Sequence, residues 1–295
     1  MQEKMQERIP KVSAVIPTFN RANLVGRAIE SVINQTYRNL EIIVVDDHST
    51  DNTEAVVKGF GESRIHYIRH ERNKGGSAAR NTGIKAATGE YIAFLDDDDE
   101  WVENKIERQL QYVQDFGAVV CRAFIPSQNR MTQLYKQVTV NPGDLRKGFI
   151  FGCGTSILLA RADILKDTLF DENLASSQDW DMLVRLASKC KVAYINEPLV
   201  RFNVGNHARI TNKSKYMSIA QLEERLGAVY KHEEFLGPYW FKYQLARRLL
   251  GYVRHKSNPQ AHLIDAIKRC GVLPVLAVIA KKIYRNVVYR NDPET

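Results

Sequence analysis

Four consecutive aspartates, Asp96 to Asp99, are the sharpest chemical feature of this 295-residue sequence. Two carboxylates about 4 Å apart repel each other by roughly 1 kcal/mol in water and by roughly 4 kcal/mol near a protein surface. A run of them directly after an apolar stretch is unfavourable unless a cation joins it. Carboxylate oxygens favour Mg²⁺ or Mn²⁺ over Zn²⁺ as their metal. The run predicts a divalent-cation site, and a solvated acidic loop remains the alternative.

Only part of this run can touch one metal ion. If the segment is extended, alternation sends Asp96 and Asp98 to one side and Asp97 and Asp99 to the other.

Two more polar strings have residue types that suit a nucleotide or phosphate. Pro17-Thr18-Phe19-Asn20-Arg21 contains an arginine able to bind phosphate, and Asp46-Asp47-His48-Ser49 contains two carboxylates. Each string also has a plain structural interpretation, because Pro-Thr-x-Asn is common in turns and Asp followed by Ser and Thr often caps a helix.

The elements that would position these strings alternate between strand and helix. Short apolar runs predict strands at residues 12–16, 41–45, 65–68 and 91–95, and the first should end at Pro17 because proline lacks an N–H donor. Helical periodicity predicts helices at 22–34 and 78–87. This alternation predicts a parallel sheet covered by helices. Ligands of such sheets sit outside the carboxyl ends of the strands, where all three polar strings would meet.

The second half of the chain has a more mixed pattern. Strands are predicted at 119–124, 155–159 and 192–195, and a helix at 179–188. Asp179 and Asp181 both fall at the start of this helix, and two positions apart they point in clearly different directions. From residue 216 onward the pattern is helical, with its clearest interruption at residues 256–260.

The net charge of +8 is concentrated at the C-terminal end. Residues 215–295 hold 14 Lys or Arg against 7 Asp or Glu, which leaves a net charge of about +1 for the rest. Basic residues that alternate with apolar stretches over 240–290 are typical of helices on an anionic membrane surface. A solvated helical cap and an oligomer interface are the two alternatives. A nucleic-acid partner is not predicted, because the tail lacks a recognisable motif.

The remaining composition favours a cytoplasmic protein. Its four cysteines include no CxxC pair, which fits a reducing compartment and argues against zinc ribbons. The first residues, MQEKMQERIPK, have no apolar run and do not predict a signal peptide. The most lipid-like run, residues 271–280, is too short to span a bilayer.

Four strings taken together resemble a known family. They occur in this order and with suitable spacing: VSAVIPTFNRAN, EIIVVDDHSTDNT, NKGGSAARNTGIKAATGEYIAFLDDDDEW and SSQDWDMLVRL. They closely resemble the family 2 glycosyltransferases, which are inverting sugar-nucleotide enzymes of GT-A fold, over roughly residues 11–205. The resemblance implies a Rossmann-like, mostly parallel central sheet flanked by helices, here with a C-terminal helical extension. It also implies a catalytic domain over 1–214, with a nucleotide half at about 11–114 and an acceptor half at about 115–214, followed by a basic helical region over 215–295.

The resemblance also assigns roles to individual positions. The nucleotide site would be lined by Pro17, Thr18, Asn20, Arg21, Asp47, Arg80, Asp96 and Asp97. Asp47 would read the base edge, and Asp98 would hold Mn²⁺ or Mg²⁺. Asp179 would be the catalytic base, although Gln178 stands where many members have Glu. His207 and Arg209 resemble a mobile loop that closes over the diphosphate.

These roles imply transfer of a sugar from a nucleoside-diphosphate sugar, with UDP as the first expectation. The acceptor would be a glycan or a lipid-linked saccharide in surface-polysaccharide biosynthesis, and Trp180 would be either an acceptor platform or a core residue. Membrane contact would be peripheral, at the inner face of the cytoplasmic membrane. Two alternatives stay open, a non-catalytic nucleotide-sugar or glycan-binding module and a nucleotidyltransferase. A dinucleotide-dependent oxidoreductase is disfavoured because residues 17–22, PTFNRA, contain no glycine.

Overall fold

The computed structural model describes residues 9–113, 115–128, 130–131, 139–140, 154–203, 216–251, 253 and 256–288. Within them the strands are β1 (Val12–Thr18), β2 (Leu40–Asp46), β3 (Ile65–Arg69), β4 (Tyr91–Phe94), β5 (Glu100–Trp101), β6 (Ala118–Ile125), β7 (Arg130–Met131), β8 (Thr139–Val140), β9 (Leu158–Arg161) and β10 (Val192–Arg201). The helices are α1 (Val25–Ile33), α2 (Thr53–Gly59), α3 (Gly76–Ala86), α4 (Lys105–Val113), α5 (Ala162–Thr168), α6 (Gln178–Lys189), α7 (Ile219–Glu223), α8 (Gly227–Lys231), α9 (Glu233–Leu249), α10 (Pro259–Cys270) and α11 (Val272–Val288).

The strands form one sheet in the order β3-β2-β1-β4-β9-β6-β10-β5, with β7 beside β6 and β8 beside β10. The first four strands of this order are parallel, as is the β6–β10 pair. β9 runs antiparallel between β4 and β6. Every residue of β1 and β2 is buried, as expected for central parallel strands covered on both faces. The predicted mostly parallel sheet with flanking helices is confirmed.

Strand β1 does not stop at Pro17, which corrects the sequence-based boundary. Pro17 pairs with Val45 of β2, and the strand continues to Thr18. Val15 pairs with β4, and its carbonyl accepts from the Leu95 N–H, so Val15 and Pro17 face the β4 side. β4 has no residue paired with Pro17, so the missing N–H of the proline removes no ladder hydrogen bond.

Helices α1 and α3 pack on β1 through different side chains. α1 is amphipathic and buries Val25, Ala28, Ile29 and Val32. α3 instead uses small residues, and a Cβ atom placed on Gly83 would lie 2.3 Å from Val15 Cγ1. The backbone of α3 therefore lies directly on β1 at this point.

The chain divides into two compact units, and only the first contains the sheet. Among the described residues, the first unit takes 9–140, 154–172 and 182–203, and the second takes 173–181 and 216–288. The boundary predicted at residues 214/215 stays a prediction, because residues 204–215 lie outside the described part of the chain.

The second unit is helical throughout its C-terminal part. The predicted interruption at residues 256–260 separates α9 from α10, and Asn258 caps α10 by accepting from the Ala261 N–H at 3.0 Å. Gly271, with φ of 82°, separates α10 from α11. None of the helices in the described ranges has both the length and the mean hydropathy that crossing a bilayer requires.

Candidate functional site

The aspartate run forms a tight turn at the carboxyl end of β4. The Asp99 N–H donates to the Asp96 carbonyl at 3.0 Å, which closes the turn. Asp99 is buried and its Oδ2 accepts from Ser156 Oγ at 2.8 Å. Asp96, Asp97 and Asp98 remain partly exposed. The fourth aspartate of the run therefore anchors the turn, and the other three face the sheet edge.

The turn corrects the alternation expected of an extended run. Asp97 and Asp98 both lie near the end of β1, whereas Asp96 and Asp99 both contact the Thr155–Ser156 segment. The physical reason is the hydrogen bond between residues 96 and 99, which reverses the chain and places neighbouring side chains on the same side.

Asp96 is held by three groups of the first unit. Arg80 Nη2 lies 2.6 Å from Asp96 Oδ1, and Thr155 Oγ1 donates to the same oxygen at 2.8 Å. The Asp96 N–H donates to Ser156 Oγ at 3.0 Å. Arg80 also lies over the Phe170 ring, 5.6 Å from its centre. The structure thus brings together two of the predicted nucleotide-site residues, Arg80 and Asp96.

Asp97 and Asp98 contact residues that follow β1. Thr18 Oγ1 donates to Asp97 Oδ2 at 2.8 Å, and Arg21 Nη1 lies 3.8 Å from Asp98 Oδ2. Burial raises the pKa of Asp97 to about 7, with Asp98 and Asp96 adding to the rise and Thr18 and Arg21 opposing it. With Asp97 ionised, three carboxylates beside the two guanidinium groups of Arg21 and Arg80 give the cluster an excess of negative charge that a cation would relieve.

Asp47 lies at the end of β2 and is almost fully buried. Its Oδ1 accepts from the Lys74 N–H at 2.8 Å, its Oδ2 accepts from the Gly75 N–H at 2.7 Å, and His70 Nδ1 lies 2.8 Å from Oδ1. The His70 ring reaches Thr82 of α3 through Nε2 at 2.9 Å. This carboxylate thus holds the loop before α3, and its role at the base edge stays a prediction.

Asn20 joins the loops that follow β1 and β2. Its backbone N–H donates to Ser49 Oγ and its Oδ1 accepts from the Thr50 N–H, both at 2.8 Å. Its φ of 51° is left-handed, which asparagine tolerates better than most residues. Pro17 is buried within β1, one residue before Thr18.

The donor set at the Asp96–Asp98 turn fits a hard divalent cation. The turn offers three carboxylates as hard oxygen donors: Asp96 accepts from Arg80 and Thr155, Asp97 accepts from Thr18, and Arg21 Nη1 lies 3.8 Å from Asp98 Oδ2. No cluster of three or more His, Cys, Asp or Glu suited to a metal is present among the residues described. Mg²⁺ commonly binds through one or two carboxylates plus substrate phosphates and water, so a full protein cage is not required.

Asp179 lies in the second unit, in the first turn of α6. Its Oδ1 accepts from the Trp180 N–H at 2.8 Å, and its side chain is partly exposed. Asp181 in the same turn is fully buried, so the structure separates the two carboxylates as their helical spacing predicts. Trp180 is also fully buried, which identifies it as a core residue rather than a surface platform.

Sequence reasoning missed three residues that shape this site. Thr155 and Ser156 fix Asp96 and Asp99 from a short 3₁₀ helix over residues 155–157, where a strand had been predicted. The two adjacent hydroxyls after Gly154 were the available signal. His70 gave no signal beyond its place after the third strand. His207 and Arg209 lie outside the described residues.

Comparison with known sequences identifies the family. The family model of Glycosyl transferase family 2 matches residues 13–165, which is about half of the chain. TuaG of Bacillus subtilis, provisionally assigned to teichuronic acid biosynthesis, is 30% identical over 70% of this chain and 84% of its own length. WfgD of Escherichia coli, a UDP-Glc:alpha-D-GlcNAc-diphosphoundecaprenol beta-1,3-glucosyltransferase, is 46% identical over 34% of this chain and 39% of its own.

The chain spans about a third of the length of the first curated relatives. One of them, an uncharacterised glycosyltransferase of Rickettsia bellii, is 32% identical over 71% of this chain but only 31% of its own length.

Solved structures with the same fold share far less sequence. S. aureus TarS 1-349 in complex with UDP-GlcNAc has a TM-score of 0.62 at 17% identity, and the match covers 94% of this chain and 92% of that 1-349 chain. The mannosyltransferase PcManGT from Pyrobaculum calidifontis, in complex with GDP-Man and Mn²⁺, has a TM-score of 0.61 at 19% identity, over 97% of this chain and 82% of its own. These likenesses show the fold, and the family match together with the TuaG likeness shows that this chain belongs to glycosyl transferase family 2.

Proposed function

We propose that this protein transfers a sugar, with inversion, from a nucleoside-diphosphate sugar to a saccharide acceptor during assembly of a bacterial surface polysaccharide. One observation carries the proposal. Thr18, Arg21, Arg80 and the Asp96–Asp98 turn come from separate parts of the chain and meet at the carboxyl edge of one parallel sheet, within 2.6–3.8 Å of one another in pairs. This edge is where ligands of such sheets bind.

UDP is the nucleotide that we expect at this edge. TarS, a structural neighbour, has been solved with UDP-GlcNAc, and WfgD is named for a UDP-glucose donor. PcManGT was solved with GDP-Man, so the base has to be tested directly. In the proposal, Pro17, Thr18, Asn20, Arg21, Asp47, Arg80, Asp96 and Asp97 line the nucleotide site. Asp47, held by His70 and by the Lys74 and Gly75 N–H groups, would recognise the edge of the nucleotide base.

Asp98 would hold Mn²⁺ or Mg²⁺, and such a cation offsets the negative charge that develops on a departing diphosphate. Support comes from the excess of carboxylates at the turn and from the Mn²⁺ in PcManGT. Arg21 and Arg80, which contact Asp98 and Asp96 in this structure, supply fixed positive charge beside the same phosphates.

Asp179 is the proposed base that removes the proton from the acceptor hydroxyl. A single displacement needs one carboxylate for this step and no covalent intermediate. The partly exposed carboxylate of Asp179, beside the fully buried Asp181, is the one of the pair that solvent and substrate can reach. An α-linked donor would then give a β-linked product.

The proposed acceptor is a glycan or a lipid-linked saccharide. TuaG is provisionally assigned to teichuronic acid synthesis and WfgD is named for a diphosphoundecaprenol-linked acceptor, and both would agree with this class. The chain spans only part of several relatives, and sugar-transfer assays would identify the sugar and the linkage.

Calorimetry with UDP, dTDP and GDP, with and without Mn²⁺, tests the donor site, and sugar-transfer assays test the reaction. Asp98→Asn should weaken metal-dependent UDP binding at least tenfold. Asp179→Asn should keep UDP affinity within about twofold and lower kcat by about 10²–10⁴, the usual contribution of a general base. Asp163→Asn, at an exposed carboxylate paired with Arg161, is the matched control and should change neither quantity.

Each result has a distinct meaning. Absence of binding by all three nucleotides in the presence of metal would contradict the donor site. Tight binding without transfer to any saccharide would favour the non-catalytic module. Full kcat in Asp179→Asn would remove that residue from the reaction.

We also propose peripheral contact with an anionic membrane through α10 and α11. Six large apolar side chains there, which we call the apolar stripe, are 37–75% exposed: Ile264, Ile267, Val272, Leu273, Leu276 and Ile283. The four on α11 fall within an arc of about 100° at 3.6 residues per turn. The exposed Lys268 and Lys281 lie on the same two helices, in a region of net charge +7. Apolar stripes beside lysines match the chemistry of an anionic lipid surface.

Vesicle co-sedimentation of the whole protein tests this contact. We expect binding to phosphatidylcholine vesicles that contain phosphatidylglycerol, weakening as salt rises, and little binding to phosphatidylcholine alone. Leu273→Ser with Leu276→Ser should abolish binding, whereas Ile9→Ser, at an exposed apolar residue of the first unit, should not. Absence of binding together with a concentration-dependent dimer would make the stripe an interface between copies.

A further inference from the structure

The second unit contains a buried charge cluster centred on Asp181. This carboxylate has no exposed surface. His232 Nε2 lies 2.8 Å from Asp181 Oδ1, and Lys231 Nζ lies 3.0 Å from the same oxygen. Lys231 ends α8 and His232 links it to α9, so a carboxylate in the first turn of α6 is bound by the junction of two C-terminal helices.

The neighbouring Trp180 is held by the same helices. Its ring meets the His232 ring edge-on, with 5.5 Å between the centres and an interplanar angle of 77°. The Arg248 guanidinium of α9 lies over the Trp180 ring, 5.5 Å from the ring centre. Both the edge-on ring pair and the cation over the ring favour the orientation in which Trp180 is held.

The chain just before α6 is constrained as well. Ser176 Oγ donates to the Arg225 carbonyl at 3.1 Å. Ser177 has a φ of 65°, a left-handed conformation that a non-glycine residue keeps only when its surroundings enforce it. Its carbonyl accepts from the Asp181 N–H at 2.9 Å, which closes the first turn of the helix.

Asp179 lies inside this constrained segment, but its side chain is less buried than those of Trp180 and Asp181. Contacts with the C-terminal helices fix residues 176, 180 and 181, which flank it on both sides, while the Asp179 carboxylate itself stays partly exposed. Helical geometry places side chains 179 and 181 about 200° apart. The direction in which Asp179 points is therefore set by how firmly Asp181 is held on the opposite side.

From this arrangement we propose that Lys231 and His232 are positioning residues for Asp179, acting through Asp181. A buried carboxylate deprived of a partner must be neutralised or must move, and either change disturbs the turn that carries Asp179. The inference rests on the proposed role of Asp179 as base. It gives the C-terminal helices a part in the reaction that is separate from any contact with a membrane.

The experiment separates the hydrogen bond from the packing. His232→Phe keeps the ring beside Trp180 but loses the donor to Asp181, and His232→Gln keeps an N–H donor but loses the ring. Lys231→Met removes the ammonium group. His262→Phe is the matched control, because His262 is another buried histidine of the same unit, on α10. Each purified variant is assayed for kcat, for UDP affinity and for amide hydrogen exchange over residues 173–186.

A positioning role predicts a specific pattern. In His232→Phe, kcat should fall about 10–100-fold, as displacements of about 1 Å commonly cause, while UDP affinity stays within about twofold. His232→Gln should recover most of the loss, and Lys231→Met should fall between the two. Exchange at residues 178–183 should accelerate in His232→Phe and stay unchanged in His262→Phe.

Three outcomes would overturn the inference: full kcat in a folded His232→Phe variant, an equal loss in His262→Phe, or unchanged exchange over residues 178–183. If the wild-type protein transfers no sugar, the proposed function fails on its own. The exchange measurement still decides whether His232 holds the segment, since it needs no substrate.

Discussion

Thr18 donates a hydrogen bond of 2.8 Å from its hydroxyl to Asp97 Oδ2, across 79 positions of sequence. The contact joins the carboxyl end of β1 to the aspartate turn after β4. It gives that turn a fixed position relative to the central strand.

Replacing Thr18 by Val should destabilise the protein. Well above the Asp97 pKa of about 7 this carboxyl is ionised, and the measurement is made there. Valine keeps the branched shape but leaves Asp97 without this donor, and hydrogen bonds to charged groups contribute about 1.5–3 kcal/mol. The free energy of unfolding in urea should fall by about that amount. Thr18→Ser keeps the hydroxyl and should lose less than half as much, so equal losses in both variants would contradict a role for the hydrogen bond.

Replacing Gly83 by Ala should cost stability through overpacking. The new Cβ would lie 2.3 Å from Val15 Cγ1, and forced shifts of this kind typically cost about 1–3 kcal/mol. Gly59→Ala is the control, because no atom lies within 4 Å of its added Cβ, and it should be neutral or stabilising by up to about 1 kcal/mol. Urea unfolding of both variants checks the difference, and a neutral Gly83→Ala would refute the close approach of α3 to β1.

Glu41 should make stability depend on acid pH. Burial by itself would raise the pKa of Glu41, but hydrogen bonds from Lys11, Ser13 and Thr88 lower it to about 2. Lys11 Nζ lies 2.7 Å from its Oε2. Since the pKa of the carboxyl is near 4.5 when these contacts are absent, the contacts stabilise the folded state above pH 4.5. That stabilisation is lost as pH falls from 4.5 to about 2.

The measurement compares the free energy of unfolding of the wild type and Glu41→Gln between pH 6 and pH 3. The wild type should lose its advantage over the variant as pH falls. Glu54→Gln serves as control, because Glu54 is a partly exposed carboxylate paired with Lys58 at the surface, and its difference from the wild type should stay nearly constant over this range. A constant difference between wild type and Glu41→Gln across this range would contradict the prediction.

Lys105 should make stability rise with pH in the alkaline range, as Glu41 does in the acid range. It is fully buried, with its Nζ 4.1 Å from the centre of the Trp101 ring and 2.7 Å from Gln109 Oε1. Burial lowers the pKa of Lys105 to about 8, while Cys121 acts in the other direction. Between pH 8 and 10.5 the unfolded state binds more protons, so stability attributable to this lysine rises with pH.

The difference in unfolding free energy between wild type and Lys105→Met isolates this effect. It should shift in favour of the wild type between pH 8 and 10, because methionine carries no titrating charge. Lys58→Met, at an exposed lysine paired with Glu54, should show no such shift. A flat difference for Lys105→Met would mean that the lysine keeps an ordinary pKa.

The local pattern of the chain was enough to predict the sheet and the edge at which its polar residues meet. Uniformly apolar runs such as residues 42–45 are typical of strands inside a covered parallel sheet, and polar residues directly after them then lie at its carboxyl end. The ordered strings around Asp47, Arg80 and Asp98 also predicted the family, which the comparisons confirmed.

What local pattern could not decide was how distant segments meet. Strand β1 continues through Pro17 because no residue of β4 pairs with Pro17, so its missing N–H removes no hydrogen bond. Residues Asp96 to Asp99 form a turn because the Asp99 N–H donates to the Asp96 carbonyl. The carboxylate of Asp181 is buried and paired with His232, which lies 51 positions away in sequence, whereas that of Asp179 is partly exposed. The type of secondary structure depends mainly on residues that are near in sequence. The burial of a charged side chain and the identity of its partner depend on contacts between residues that are far apart in sequence. The sequence by itself therefore determined the family, the fold class and the carboxyl edge of the sheet as the place where the polar residues meet. Only the tertiary structure decided which carboxylates are buried with fixed partners and which stay partly exposed.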